Sequence, residues 1–470
     1  IEQGSYGGCL ASERIICMEY YAKSKKVQFT SERINEIKKN MKNIEECLKE
    51  NLTETDVEIL NSSITDIAEK TEEKQKTLKE HHKDIVTCAE MFFLEYGEYF
   101  TEKEKKLVVE ACRIHDLGKV NLVFQAMICP KLAEKFHIDV RKTSQIPHGF
   151  LSAVTISLDE FDDLSELFSD KDFGPFITAV YYHHDREDHY NSPAIRKYAE
   201  KYYMKQIEEY LNRKIRKLNC SNLDDLLFRN NVYTGKYIPD SNAWKEYLLI
   251  KGLLNKFDYT VSAGYENAES AIDLHEKKLV KNIEKFLNGK ELRPAQKFMK
   301  MNRDKNLIVI APTGSGKTEA SLLWMNGEKS FYTLPLKVSS NAIYLRIKEN
   351  YEYKDVALLH SDAMAVYLRE YNGNEDIGEK YERSKMLSQP LTVCTVDQLF
   401  RFVYRALGTE IFAATLKYSK LVLDEIQAYE PRVIATIIYG LKMIQEMGGK
   451  FAIITATFPP VLKYFMEQYG

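Results

Sequence analysis

A histidine and an aspartate stand side by side at positions 115 and 116, in the string HDLGK. Adjacent His and Asp at a helix end can ligate metal from one turn of backbone, and one carboxylate can bridge two cations through its two oxygens. Gly118 permits a turn there, and Lys119 places a cation beside a phosphate site. Such chemistry suits metal-assisted hydrolysis of a phosphoester. A second group of residues, APTGSGKTEA at 311–320 with LDEIQ at 423–427, suits a nucleotide triphosphate instead. Its glycines let backbone N–H groups turn towards phosphates, and the helix N-terminus that follows favours their negative charge.

In the loop Thr313, Gly314, Ser315, Gly316, Lys317 and Thr318, the Lys317 ammonium should reach the β- and γ-phosphates and the Thr318 hydroxyl should ligate Mg2+. Asp424 would hold the same Mg2+ through water, and Glu425 would orient or deprotonate the attacking water. ATP and Mg2+ are therefore the expected cofactors of this half.

Two kinds of element must position these groups. Residues 30 to about 270 read as almost entirely helical, with Ile85, Cys88, Ala89, Phe92 and Phe93 at three- and four-residue spacing. From about 290 short β-rich runs alternate with amphipathic helices: 307–311, 330–336, 356–361, 391–396, 420–426 and 450–457. That alternation implies a parallel sheet with helices on both faces. The expected fold is multidomain, an all-α helical bundle over 1–280 followed by an α/β domain over 281–470, with the boundary in 270–290. The stretch 31–80 is highly charged, and Arg196–Lys217 mixes Lys and Arg with Tyr in what reads as a solvated helical face.

Bulk composition narrows the setting. No apolar run approaches the ~20 residues a membrane span needs. The eight cysteines form no CxxC pair, which suits free thiols in a reducing cytoplasm. With 66 basic and 69 acidic residues the net charge is −3, so nucleic-acid binding would need a local basic groove. The chain starts at Ile1 and stops soon after ITATFPP, and it reads as a fragment in which Met18 is the natural start.

Further metal ligands must come from elsewhere in the helical half. The candidates are His81 in LKEHHKD, His148 in PHGFLSA, the pair His183 and His184 in YYHHD, and Asp258 in FDYTVSAG. Their spacing resembles the HD superfamily, in which ligands come from successive helices of a bundle. His81 is preferred over His82 because LxxHxxD places it one turn before Asp84 and matches that pattern. His81, His115, Asp116 and Asp258 would hold one metal, and Asp116, His148, His183 and His184 the other. Imidazole-rich coordination suits Mn, Fe, Co or Ni better than magnesium. Two such ions roughly 3.5–4 Å apart would lower the pKa of a bound water and stabilise the leaving oxygen, while Lys119 steadies the scissile phosphate. Asp116, Lys119 and Glu425 are the expected catalytic residues.

The loop form AxTGSGKT is the one used by superfamily 2 helicases, and other strings follow in their order. Arg293-Pro294-x-Gln296 precedes the loop, with Gln296 placed to read the adenine edge; LPLKVSSNA, TVDQLF and TATFPP follow it. Together with MEYYAKS, LKEHHKD, HDLGK, FDYTVSAG and DEIQAYEP, the chain resembles the signature helicase–nuclease of type I CRISPR–Cas systems. The resemblance implies an HD nuclease joined to the first RecA-like lobe of a helicase. It implies degradation of invading single-stranded DNA in antiviral defence, and recruitment to a crRNA-guided, Cascade-type surveillance complex. It implies 3′-to-5′ movement driven by ATP. A second RecA-like lobe is not in the sequence, so this chain is expected to cut better than it moves. Two other readings remain: an HD phosphohydrolase of small nucleotides regulated by an ATP-binding lobe, and an ATP-gated nucleic-acid-binding module with an inactive HD site.

Overall fold

The structure, a computed structural model, describes residues 20, 22, 76–156, 173–184, 192–215, 218, 242–270, 277–370 and 377–469. Residues 31–75 of the charged stretch, most of MEYYAKS, His189, His275, Cys9, Cys17, Cys47 and Cys220 lie outside the described residues.

Two Thr-x-x-Glu capping boxes open the helical half. Thr77 accepts from the Glu80 amide at 3.2 Å while Glu80 accepts from the Thr77 amide at 2.9 Å, which starts α1 (Leu78–Tyr96). Thr101 and Glu104 start α2 (Glu102–Ile114) in the same way. On α1 the buried positions Leu78, His81, Ile85, Cys88, Ala89, Phe92 and Tyr96 follow the three- and four-residue spacing of one helical face.

The bundle continues through α3 (Leu122–Ile128), α4 (Pro130–Lys135), α5 (His148–Thr155) and α6 (Phe173–Tyr181). It is completed by α7 (Ser192–Tyr202), α8 (Met204–Leu211) and α9 (Asn242–Ser262). The charged stretch from Arg196 forms α7 and α8, with Ile195, Ala199, Tyr203 and Ile207 inward and Arg196, Lys197, Lys201 and Lys205 exposed. Nearly every residue of α9 from Tyr247 to Asp258 is buried, because the helix packs against α1, α2 and α6 on one side and the α/β half on the other.

The α/β half begins with α10 (Lys278–Leu287) and α11 (Pro294–Met301) and contains β1 (Leu307–Ile310), α12 (Lys317–Met325), β2 (Ser330–Leu334) and α13 (Lys337–Glu349). After β3 (Val356–Leu359) come α14 (Ala363–Arg369), α15 (Ile377–Lys385), β4 (Leu391–Thr395), α16 (Val396–Leu399) and α17 (Glu410–Lys417). It ends with β5 (Lys420–Asp424), α18 (Pro431–Met447), β6 (Lys450–Thr455) and α19 (Pro460–Tyr469). Among the described residues the strands form one sheet in the order β1-β6-β5-β2-β4-β3, every pair parallel. Strands β2 to β5 are buried throughout, as expected of a sheet covered on both faces.

Side chains alternate between two cores. Phe331, Leu421, Leu423, Phe451 and Ile453 point into a core that runs without a break into the helical bundle. Tyr332, Val422, Ala452 and Ile454 point the other way, against Trp324 and Tyr344. Among the described residues no helix is long and apolar enough to cross a membrane.

Candidate metal centre and ATP site

Five segments of the bundle converge on Asp116. Helix α1 brings His81, and α2 ends so that His115 is its C-cap and Asp116 opens a 3-10 turn over Leu117–Val120. His148 is the first residue of α5, His183 and His184 follow α6, and Asp258 lies near the end of α9. Nε2 of His81 is 3.4 Å from Asp116 Oδ2 and 3.2 Å from Asp258 Oδ1. Nε2 of His115 is 3.3 Å from the same Oδ2. Across the carboxylate, Nε2 of His148 and of His183 lie 3.0 and 3.6 Å from Oδ1, and His184 Nε2 is 2.6 Å from His148 Nε2.

The two carboxylate oxygens thus face two nests of donors. Ligand atoms of His81, His115 and Asp116 lie within 4.8 Å of one another, and so do those of Asp116, His148, His183 and His184. Nδ1 of His115 is 3.0 Å from the Cys112 carbonyl, and Nδ1 of His183 is 2.6 Å from the Val180 carbonyl. Each ring must donate there, which leaves its Nε2 lone pair aimed at Asp116. Nε2 of His81, His115 and His183 and Oδ1 of Asp116 are buried without a hydrogen-bond partner. Each such atom costs about 1–3 kcal/mol, and cations shared among them would satisfy all of them together. The donor set fits a metal centre on that ground.

Electrostatics favour the ligand form at most of the donors, with His81 the exception. Burial pushes the His148 imidazole down to about 3 and also lowers His183 and His184. Burial is the largest influence on His81 as well, yet Asp116 and Asp258 outweigh it and hold that ring above its usual value. Burial alone would raise Asp116, but His115 and Lys119 beside it hold it well below the ordinary carboxylate range. Asp258 is held low by His81 and His115 in the same way, against its burial.

The HDLGK turn is fastened on several sides. The Gly118 amide donates to Ser152 Oγ at 2.8 Å, and that hydroxyl donates to the His148 carbonyl at 3.0 Å. Asn121 Nδ2 donates to the Gly118 carbonyl at 2.6 Å and Gln125 Nε2 to the Lys119 carbonyl at 2.8 Å. Gly118 is needed for close approach rather than for an unusual turn conformation: a Cβ there would sit 2.0 Å from the His148 carbonyl oxygen. Lys119 is tied to the same turn. Its ammonium donates to Asp116 Oδ2 at 2.6 Å and is nearly buried, so its first partner is the central carboxylate. His82 turns away from the cluster, with Nδ1 3.2 Å from the Tyr210 hydroxyl, and burial lowers it to about 3.

The second site lies at the carboxyl ends of β1 and β5, where open parallel sheets bind ligands. Gly314 and Gly316 adopt φ of 78° and 81°, a conformation that favours glycine, and Gly316 caps α12. Arg293 donates to the Gly314 carbonyl, and Gln296 Nε2 reaches the Gly316 carbonyl at 3.4 Å. The Lys317 ammonium pairs with Glu425; Thr313 and Ser315 lie in the turn before α12, and Thr318 is in its first turn. Asp424 accepts from the Tyr332 hydroxyl at 2.7 Å, while its Oδ1 is buried without a partner. Burial raises Asp424; Glu425 is lowered, since Lys317 and Gln427 outweigh its burial. Gln427 links Glu425 to Thr455, whose hydroxyl also donates to the Thr457 carbonyl at 2.7 Å.

Two family models match this arrangement. The one described as "Cas3, HD domain" matches residues 68–242, and the one described as "DEAD/DEAH box helicase" matches residues 294–465. The chain is thus similar to Cas3 proteins in both halves. The CRISPR-associated nuclease/helicase Cas3 of Methanothermobacter thermautotrophicus is 25% identical over 464 residues, covering 85% of this chain and 54% of that protein. The CRISPR-associated endonuclease/helicase Cas3 of Escherichia coli is 24% identical over 189 residues, 35% of this chain and 21% of that protein. The fold is similar to a crystal structure of T. fusca Cas3 with ATP, with a TM-score of 0.59, 17% identity, and coverage of 85% of this chain and 51% of that one. The chain spans about half the length of the Methanothermobacter and T. fusca proteins. Asp258 lies beyond the matched HD segment, yet its carboxylate meets His81.

Several supporting residues escaped the sequence reading. Ser152, Asn121 and Tyr332 carry no pattern that separates them from ordinary helix, turn and strand residues. Gln427 stands in a quoted string, but its bond to Thr455 depends on β5 and β6 being neighbours.

Proposed function

We propose that this chain carries a two-metal nuclease centre in residues 1–280 and the ATP-binding lobe of a DNA motor in residues 281–470. The observation that supports it most is the convergence of His81, His115, Asp116, His148, His183, His184 and Asp258 around one carboxylate, with unpartnered buried donor atoms facing inward. His81, His115, Asp116 and Asp258 would hold one ion, and Asp116, His148, His183 and His184 the other. Divalent ions such as Mn, Fe, Co or Ni would supply an activated water and neutralise charge on the scissile phosphate.

The chain's own groups do the rest. Carbonyls of Cys112 and Val180 fix the rings of His115 and His183, and burial keeps His148 and His183 neutral. Lys119, anchored on Asp116, sets a fixed positive charge beside the place of the phosphate. In the motor half Lys317, Thr318 and Asp424 would hold ATP and Mg2+, with Glu425 directed at the attacking water.

Single-stranded DNA is the substrate that suits a nuclease joined to such a motor. Recruitment by a crRNA-guided surveillance complex, and 3′-to-5′ movement along DNA, rest on the resemblance to the Cas3 family. The test is degradation of circular single-stranded DNA with manganese, beside a panel of free nucleotides. Cleavage of the circle that disappears in Asp116→Ala supports the reading. Turnover of free nucleotides with an intact circle contradicts it.

A further inference from the structure

The helix that supplies Asp258 turns its other side to the motor lobe. Lys256 stands two residues earlier, roughly 200° around the helix, and its buried ammonium lies 2.8 Å from Glu269 Oε1. Glu269 is held from the motor side too. Lys329, just before β2, meets Oε2 at 2.5 Å, and the hydroxyl of Tyr418, just before β5, donates to Oε1 at 2.6 Å. Carbonyls complete the shell: Lys256 donates to those of Met386 and Leu387 at 2.9 and 3.2 Å, and Lys329 donates to those of Leu387 and Gln389.

A second clamp grips the same helix. Lys251 pairs with Glu410 of α17 at 2.8 Å, where the Tyr247 hydroxyl also donates at 2.7 Å. Between the clamps Gly252 touches α17 so closely that a Cβ would lie 2.5 Å from that of Ala414. Buried charges are costly unless each is paired, and their best-attested use is to fix register between packed elements. Apolar packing alone would let α9 rotate or slide by small steps; two lysines with fixed partners would not.

We propose that Glu269 is a positioning residue of the nuclease centre. By tying Lys256 to Lys329 and Tyr418 of the motor half it sets the rotation and height of α9, and so the place of Asp258 against His81. The motor half thereby completes the geometry of the nuclease half. The inference rests on Asp258 holding a metal ion, as proposed above.

Manganese binding followed by electron paramagnetic resonance tests it in the whole chain. The unaltered protein should give the spectrum of two coupled ions, and Asp258→Ala should lose one of them; failure there overturns the reading of Asp258 as a ligand, and the inference with it, before Glu269 is varied. Given that result, Glu269→Gln should weaken the ion held by His81, His115, Asp116 and Asp258 about tenfold, the low end of what supporting residues cost. The other ion should keep its affinity. General loosening lowers both affinities together, so that outcome, or two coupled ions bound as tightly as before, overturns the proposal. Tyr418→Phe removes one hydrogen bond from Glu269 and should shift the same ion about threefold, on the scale of one hydrogen bond. It decides the matter alone if Glu269→Gln does not fold.

Discussion

Asp258 meets His81 at 3.2 Å from a helix whose opposite side is clasped by the motor lobe through Lys256 and Glu269. The candidate metal centre therefore shares a helix with the contact between the two halves, and its parts are expected to respond differently to substitution.

Asp116 faces both nests of donors, whereas Asp258 faces one. Asp116→Ala is expected to remove both manganese ions and to lower nuclease activity by more than the ~10–100-fold typical of supporting residues. Asp258→Ala is expected to remove one ion. Metal analysis after desalting distinguishes the two, and equal losses from both variants would contradict the assignment.

Gly118→Ala tests the close approach of the HDLGK turn to α5. A Cβ 2.0 Å from the His148 carbonyl oxygen forces the turn and the helix apart. A loss of about 1–3 kcal/mol is expected, the usual scale of overpacking, read from urea unfolding with chelator present. No change in the midpoint would show that the segment yields freely.

Lys317 is the cation of the phosphate loop. Its replacement by alanine should weaken ATP binding about 10–100-fold, from ~1.5–3 kcal/mol for a hydrogen bond to a charged group. Fluorescent-nucleotide titration measures it. Unaltered affinity would remove Lys317 from the site.

The metal-free protein should lose stability on mild acidification. His148 and His82 are pushed down to about 3, with ordinary values of 6.5, and His183 and His184 are lowered too. Between those values the unfolded chain binds more protons than the folded one, so stability falls as pH drops through 6.5 towards 3. His81, held above its usual value, acts in the opposite sense as a single ring against several. Asp116 and Asp258, held low, add a further loss below their ordinary 3.8. Urea midpoints of chelated protein at pH 7 and pH 5 check the sign, and a higher midpoint at pH 5 would contradict it.

What was legible beforehand followed the spacing of the chemistry. The phosphate loop, Asp424 with Glu425, and His115 with Asp116 are contiguous strings on single turns, so residue type and order suffice. His148, His183, His184 and Asp258 could be nominated by type and by resemblance, but only the packing of α1, α5, α6 and α9 brings them together. The partner of Lys119 is invisible in sequence, because a lysine one turn after an aspartate reads equally as a free phosphate ligand. Nothing in their neighbourhood of the sequence marks Lys251 and Lys256 as buried. They are buried since a second layer covers that side of α9, and no local pattern announces a layer that arrives from beyond residue 300.

The most direct measurement is crystallographic: anomalous diffraction from the manganese-soaked protein, collected at the metal edge. The account expects two peaks roughly 3.5–4 Å apart, one on each side of Asp116, the first against His81, His115 and Asp258 and the second against His148, His183 and His184. A single peak remote from Asp116, or none in that cluster, would contradict it.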